Sequence, residues 1–574
     1  MKDRTFLDPA LICLLALAAL FIFSNLGSVY LWEDEAETAL VAKTVVSNGI
    51  PKISDGMNYF YQEQGKRVGY GDIWAWTPWL QFYVAAPCVK FLGSREWALR
   101  VPFATAGFFS VILLFWISRK LFDRPTAIFA TTLLITCVPF LLYVRQCRYY
   151  AFVILGTLMA AGSLLIPREH KKLFNLSLFL ALLIIFHANY IAWFGIVFAI
   201  SCWVFIQRTF STRSSTLTTL ALSFAVNLPW FFLFKPLHEK TGEWSADIFL
   251  ESLIFYAESL NHYVAPFILL LIIPLILWAG RKKMQETRLS GLQKDSILFF
   301  VLLIIFTIGF SLLGPARVFR YLVGIIPVVI LLFALLFAKL WQKNRIISIA
   351  LLGILIGSNF LNVFFYPMLS SVFPTASRHL KSALSSPLLS YIQELAQPPQ
   401  GTIKKIADYL NAHAAPHDFA IATYGDLPLM FYTKLRMIGG LSFEALEEAK
   451  NADWVIARKV LISDEDARVM VYLIDNLPWE RYEKIDLGQT DFPWDNIPEP
   501  SAHQFKSMGF NPDWQIQIYR KLKPEESSRT ADPPKLFYFT PAHKTITGAA
   551  ELKPELARYL IWLKAQNHSE QSPI

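Results

Sequence analysis

Four carboxylates crowd into one short stretch behind the first apolar segment: Glu33, Asp34, Glu35 and Glu37 in W-E-D-E-A-E-T-A, Trp32 to Ala39. At a membrane boundary such a group can take up or give out a proton. Read as a helix following Leu31, the stretch carries Ala36, Ala39, Leu40 and Val41 on one side and acids on the other, so the acids can lie at the bilayer surface without entering it. A solvated acidic turn behind a membrane anchor is the plainer reading of the same residues. Two arginine pairs offer complementary chemistry. Arg145-Gln146-Cys147-Arg148-Tyr149 and Arg317-Val318-Phe319-Arg320-Tyr321 share an R-x-x-R-Y pattern, and the planar fork of a guanidinium suits a phosphate. A single arginine at a helix end commonly snorkels toward the headgroups, but a repeated pair points to a membrane-embedded phospholipid substrate. Arg145, Arg148, Arg317 and Arg320 are therefore the candidate phosphate-binding residues. Tyr149, Tyr321, Trp76, His187, Asn189, Tyr190 and His262 are candidate substrate contacts. His187 and His262 suit either metal ligation or helix-end hydrogen bonding, so a divalent metal stays open and no other cofactor is indicated.

The elements that must position these groups are membrane helices. Of 574 residues, 54% are hydrophobic and only 17% charged, against about 25% charged in a soluble globular protein. A hydrocarbon core takes about 20 helical residues to cross. Eleven segments qualify: roughly 6–26, 98–118, 126–144, 149–167, 173–187, 190–206, 215–234, 263–280, 296–314, 321–341 and 346–366. Lys2 and Arg4 precede the first, and no small-x-small cleavage site follows it, so it reads as a retained anchor with a cytoplasmic N-terminus. Every loop then assigned to the cytoplasm is basic, from Arg119, Lys120 and Arg124 to Lys343 and Arg345, as the positive-inside bias requires. Thr77 to Gly93 would invert that pattern if it crossed. It is expected to be a helix lying in the outer interface or dipping into it, with Trp74, Trp76 and Trp79 as an aromatic belt. The five polar clusters, from Glu33 to Arg320, then fall on one outer face. The five cysteines sit in or beside apolar segments up to Cys202 and suggest neither a disulfide framework nor a zinc pair.

The expected organisation is a mainly α polytopic bundle over 1–366 with a first outer loop at 27–97, then a linker at 367–401, a small extracytoplasmic α/β domain at 402–523 and a polar tail at 524–574. Within the small domain the pattern predicts a helix (Thr402 to His413), a strand (Phe419 to Tyr424), a turn at Gly425-Asp426-Leu427-Pro428, and a helix around Phe443 to Lys450. Strands at Trp454 to Lys459 and Trp514 to Lys521 follow, and a helix near Leu552 to Ala565 in the tail. No G-x-G-x-x-G or P-loop suggests a nucleotide, and nothing suggests nucleic acid.

The order of the motifs resembles a known family. Asp34-Glu35 after the first span precedes L-G-x-x-E-W-A-L-R-V-P (Leu92 to Pro102), I-S-R-K-L-F (Ile117 to Phe122), R-Q-C-R-Y-Y-A (Arg145 to Ala151), H-A-N-Y (His187 to Tyr190) and R-Y-L-V-G-I-I-P (Arg320 to Pro327). Together these resemble the GT-C glycosyltransferases, in the bacterial branch similar to protein O-mannosyltransferases and the aminoarabinose transferases of lipid A. The resemblance covers roughly 1–366. It implies a polyprenyl-phosphate sugar donor, chemistry at the outer face of the inner membrane, and the aspartate of the D-E pair, Asp34, as catalytic base. Where many relatives have H-P-P or K-P-P, this chain has Trp76-Thr77-Pro78-Trp79, and its C-terminal domain is unlike a β-trefoil.

The leading expectation is thus an inverting glycosyl transfer to a hydroxyl acceptor, which a glycan, lipid or protein can supply. Glu35 would orient the acceptor or hold a cation, while Glu33 and Glu37 are expected to face solvent. A transporter or flippase for a lipid-linked glycan is the alternative. It is disfavoured because no internal repeat is visible and the polar residues gather at one face. An assembly scaffold would leave the arginine pairs unexplained.

Overall fold

Apolar runs interrupted by proline and polar turns fold into helices whose ends fall at those interruptions. The computed structural model describes residues 8–60, 72–163, 165–166, 168–206, 210–234, 245–279, 289–314, 317–363, 383–439, 448–458, 472–491, 496–500, 503, 505–506, 515–523, 536–537 and 545–546. Two compact units divide the chain. One comprises Met1–Leu26, Arg100–Gln397 and Pro498–Pro500, the other Gly27–Leu99, Pro398–Ile497 and Ser501–Ile574.

The first unit is a helical membrane bundle. Among the described residues five helices are long and apolar enough to cross: Glu96–Leu121, Lys171–Ala188, Ser214–Phe234, Gly291–Ser311 and Phe319–Lys343. A sixth crossing results if Arg124–Ile135 and Val138–Val144, bent by 65°, form one broken span. The break follows from Pro139, which lacks the N–H that a continuous helix needs. Where eleven segments were expected, Pro9–Phe23, Tyr150–Ser163, Tyr190–Ile206, Leu269–Ala279 and Arg345–Gly357 are apolar but shorter than a full crossing. The helix Ala246–Tyr263 was not anticipated. Its acids Asp247, Glu251 and Glu258 suppress its hydropathy, although Ser245 caps it by accepting from the Ile248 N–H at 3.1 Å. Helices in this unit approach closely where side chains vanish: a Cβ on Gly195 would lie 3.0 Å from Thr307 Cα, and one on Gly156 would meet Ile185.

One ion cluster ties the start of this bundle together. Asp8 caps the helix Pro9–Phe23 and accepts two hydrogen bonds from Arg124, at 2.7 and 2.9 Å, and one from Arg119 at 2.9 Å. The Arg124 hydrogen bonds outweigh burial and hold the Asp8 carboxyl down at about 2.

The second unit is built on a five-stranded mixed sheet. Its strands are β1 (Phe419–Ala422), β2 (Arg436–Gly439), β3 (Trp454–Ala457), β4 (Tyr482–Thr490) and β5 (Gln515–Lys521), in spatial order β2-β1-β3-β5-β4. β1 pairs in parallel with β2 and β3, and β5 runs antiparallel to both β3 and β4. The F-A-I-A and W-V-I-A strands are buried along their whole length, as parallel strands covered on both faces should be. The helix Thr402–His413 buries Ile403, Ile406, Ala407 and Leu410, an i, i+3, i+4, i+7 stripe. A short helix, Asp426–Tyr432, forms the crossover from β1 to β2 in place of the expected turn, beginning after Gly425 at φ 86°. The strands expected at Phe419, Trp454 and Trp514 appear slightly trimmed, while β2 and β4 were not read. Of the helix expected around Phe443, 443–447 lie outside the described residues, as does the one near Leu552.

The first outer loop belongs to this unit. Asn58 imitates a strand residue at the β2 edge: its amide donates to the Leu435 carbonyl at 3.1 Å and accepts from the Met437 N–H at 2.7 Å. Tyr30 stacks on Tyr432 at 3.8 Å, and the Tyr432 hydroxyl accepts from the Leu31 N–H. The apolar stretch from Thr77 to Gly93 forms the helix Leu80–Leu92, which buries Gln81, Phe82, Ala85 and Ala86 and leaves Tyr83, Phe91 and Leu92 exposed. Trp74 is not part of an exposed aromatic belt. It is fully buried, donating to Thr77 Oγ1 at 3.0 Å while its carbonyl accepts from Trp79 Nε1. Trp76 and Trp79 are half-buried.

Because the Asp8 carboxyl is held low, its contribution to stability is complete above the ordinary carboxylate range and fades as pH falls through about 2. Arg124 is half exposed, which discounts the pair. Asp8→Asn is expected to cost about 1–2 kcal/mol near neutral pH. Thermal unfolding in detergent should show a gap between wild type and variant that narrows below about pH 4.

Candidate active site

In the membrane unit the arginines sit in the turns that follow the broken span and precede the helix Ile326–Lys343. Three polar clusters gather around Phe319. Tyr143 stacks on Phe319 at 6.1 Å and meets Tyr150 edge-on at 4.8 Å, while Tyr263 approaches Phe319 at 6.0 Å. The segments 145–150, 261–263 and 317–321 are thus neighbours.

Within each R-x-x-R pair the two arginines have different partners. Arg145 donates to the carbonyls of Phe21, Ile22 and Ser24, at 2.8 to 3.1 Å, which caps the end of the first helix, and it lies over the Tyr391 ring. Arg317 closes a 2.8 Å pair with Glu251. The second member of each pair is held differently. Arg148 is buried, with its guanidinium 5.8 Å from the centre of the Tyr149 ring. Arg320 faces Glu499, whose Oε1 lies 3.8 Å from its Nε. Tyr321 packs over Gly314, where a Cβ would strike its ring.

The histidine motifs have structural partners. Asn189 caps the helix Tyr190–Ile206 by accepting from the Ala192 N–H at 2.9 Å. The Tyr190 hydroxyl accepts from Trp230 Nε1 at 2.6 Å, and the His187 ring meets Trp230 edge-on. Near Phe319, Asn261 and His262 are tied to the 359–362 segment: Asn261 donates to the Asn362 carbonyl, Asn362 donates to the His262 carbonyl, and Asn359 lies 3.5 Å from His262 Nε2. Among the described residues no group of three or more His, Cys, Asp or Glu comes together as a metal would require.

In the second unit the acidic stretch opens the helix Glu33–Asn48, with Glu33, Asp34 and Glu35 in its first turn, where the helix dipole favours negative charge. The expectation that Glu33 and Glu37 face solvent is wrong: Glu33 is 6% exposed and Glu37 fully buried, with Asp34 at 8% and Glu35 at 0%. The reading as a solvated turn falls with it. The helix is covered because it packs against Leu80–Leu92 and Asp426–Tyr432. Asn496 donates to Glu35 at 3.4 Å, and Lys43, its pKa lowered by burial, sits over the Phe431 ring at 4.0 Å.

Sequence reasoning missed Asp426. It sits above Gly439, whose missing side chain leaves room for the carboxyl. Glu33 lies beside it, and both carboxyls also face the Leu427 N–H at the start of the short helix. Two buried carboxyls side by side do not both ionise. Burial, then the charge of Asp426, pushes Glu33 well above the carboxylate range, and burial raises Asp426 to about 6. Protonation of at least one of the two carboxyls is therefore favoured. The only signal in the sequence was G-D-L-P, which reads as an ordinary turn.

No protein-family model matches the sequence, and no curated protein matches it either. The fold does have solved counterparts. It is similar to ArnT from Cupriavidus metallidurans: the crystal structure bound to undecaprenyl phosphate aligns with a TM-score of 0.53 at 12% identity, covering 89% of this chain and 97% of that one. The apo structure aligns with a TM-score of 0.51 at 15% identity, covering 77% and 88%. At these identities the likeness establishes a shared fold.

The raised carboxyls fix the sign of a pH effect. Protonation favours the folded state, so stability is full below the ordinary carboxylate range and is lost as pH rises through about 6. Asp426→Asn removes the need to bury a second charge. At pH 8 the variant is expected to exceed wild type by about 1–3 kcal/mol, and thermal unfolding across pH should show the two converging below about pH 4.

Proposed function

We propose that the protein is a GT-C glycosyltransferase that moves a sugar from a polyprenyl-phosphate donor to a hydroxyl acceptor at the outer face of the inner membrane, with inversion. The observation that carries this reading is the fold shared with ArnT over nearly the full length of both chains, in a protein crystallised with undecaprenyl phosphate. The arginine cluster around Phe319 and the buried acidic helix supply the two kinds of group such a reaction uses.

The acceptor oxygen attacks the anomeric carbon from the face opposite the phosphate. The bond from that carbon to the phosphate oxygen breaks, and the phosphate leaves with the electron pair. Arg148 and Arg320 stabilise the charge it gains. Arg145 and Arg317, already engaged with carbonyls and with Glu251, hold the two turns in place and add positive charge to the phosphate site. Asp34 takes the acceptor's proton, and Glu35 orients the acceptor or holds a cation. Tyr149, Tyr321, His187, Asn189, Tyr190, His262 and Trp76 line the substrates. In this reading the shorter apolar helices complete eleven crossings across tilted or thinned bilayer, and the 402–523 domain is extracytoplasmic.

Asp34→Asn keeps shape and hydrogen bonding but cannot accept a proton, so transfer from a purified polyprenyl-phosphate sugar in nanodiscs is expected to fall about a hundredfold or more while donor binding survives. Arg148→Lys and Arg320→Lys keep charge but lose the fork, and turnover should fall in both. Near-normal transfer in all three variants would remove these residues from the chemistry.

A further inference from the structure

We propose that Glu499 is a resident anion at the Arg320 guanidinium, occupying the place of the donor phosphate until the donor displaces it. The inference rests on reading Arg320 as a phosphate ligand. Glu499 is the middle residue of Pro498-Glu499-Pro500, three residues that belong to the membrane unit although the chain on both sides belongs to the other. Proline at both ends restricts the backbone, so the side chain is delivered by a stiff segment. Its carboxyl is 12% exposed.

The carboxyl meets the guanidinium only at a distance. Oε2 accepts from the Phe319 N–H at 3.2 Å and the Arg320 backbone N–H lies beside the carboxyl, while Oε1 accepts no hydrogen bond among the described residues and stands 3.8 Å from Arg320 Nε. The Tyr143 hydroxyl lies beside it. Burial raises the pKa of this carboxyl despite the nearby guanidinium. The sister pair is different. Arg317 and Glu251 meet at 2.8 Å, a closed contact with no reason to exchange. A phosphate would give Arg320 the two parallel bonds that Glu499 does not make, and the displaced carboxylate can take a proton.

The test titrates wild type, Glu499→Gln, Glu499→Ala and Glu499→Asp in nanodiscs with undecaprenyl phosphate, with thermal unfolding of each as a check on folding. Removing a competing anion should tighten binding about fivefold to tenfold in the Gln and Ala variants. Asp, which restores the charge, should return affinity toward wild type. A merely structural carboxyl would give weaker or unchanged binding in Gln and Ala, and that result overturns the inference while leaving the proposed function standing. Wild type that binds no polyprenyl phosphate overturns both.

Discussion

Burying an ionised side chain costs several kcal/mol unless a counter-charge, hydrogen bonds or a proton compensates it, and much of this structure is arranged around that cost. The membrane unit meets it with partners of graded tightness: three carbonyls for Arg145, a close carboxylate for Arg317, a distant one for Arg320. The second unit meets it by favouring protonation at Glu33 and Asp426, whose carboxyls burial raises, and with an amide donated by Asn496 to Glu35.

The acidic helix depends on residues some 400 positions further along the chain. Tyr432 receives the Leu31 N–H and stacks on Tyr30, and Asp426 meets Glu33 at the start of the same short helix. Asn58 completes the β2 edge from the same outer loop. The first outer loop and the C-terminal sheet therefore form one folding unit. Sequence order separates them, but packing joins them.

The apolar segments were legible as helices because composition and length mark them, but among the described residues only five, or six with the bent pair, are long and apolar enough to cross. Thr402–His413 was legible from its 3.6-residue stripe. Partners distant in sequence were not. Glu499 lies 179 residues from Arg320 and Glu251 lies 66 from Arg317, and no local pattern marks a carboxylate as a counter-ion. The burial of Glu33 and Glu37 was misread for the same reason: helical spacing assigns faces, but the neighbours that cover the polar face come from elsewhere in the chain. The strand β4 escaped because it is an edge strand rich in charge, and β2 because R-M-I-G offers neither an apolar run like F-A-I-A nor a clear alternation.

The central claim is that the chain consumes a polyprenyl-phosphate sugar. It is tested most directly by mass spectrometry of lipid-linked sugars and envelope glycans in a strain lacking the protein. The account predicts that one polyprenyl-phosphate-linked sugar accumulates, that a sugar of the same mass disappears from the envelope, and that wild-type protein reverses both while Asp34→Asn reverses neither. An unchanged pool of lipid-linked sugars and an unchanged envelope would contradict it.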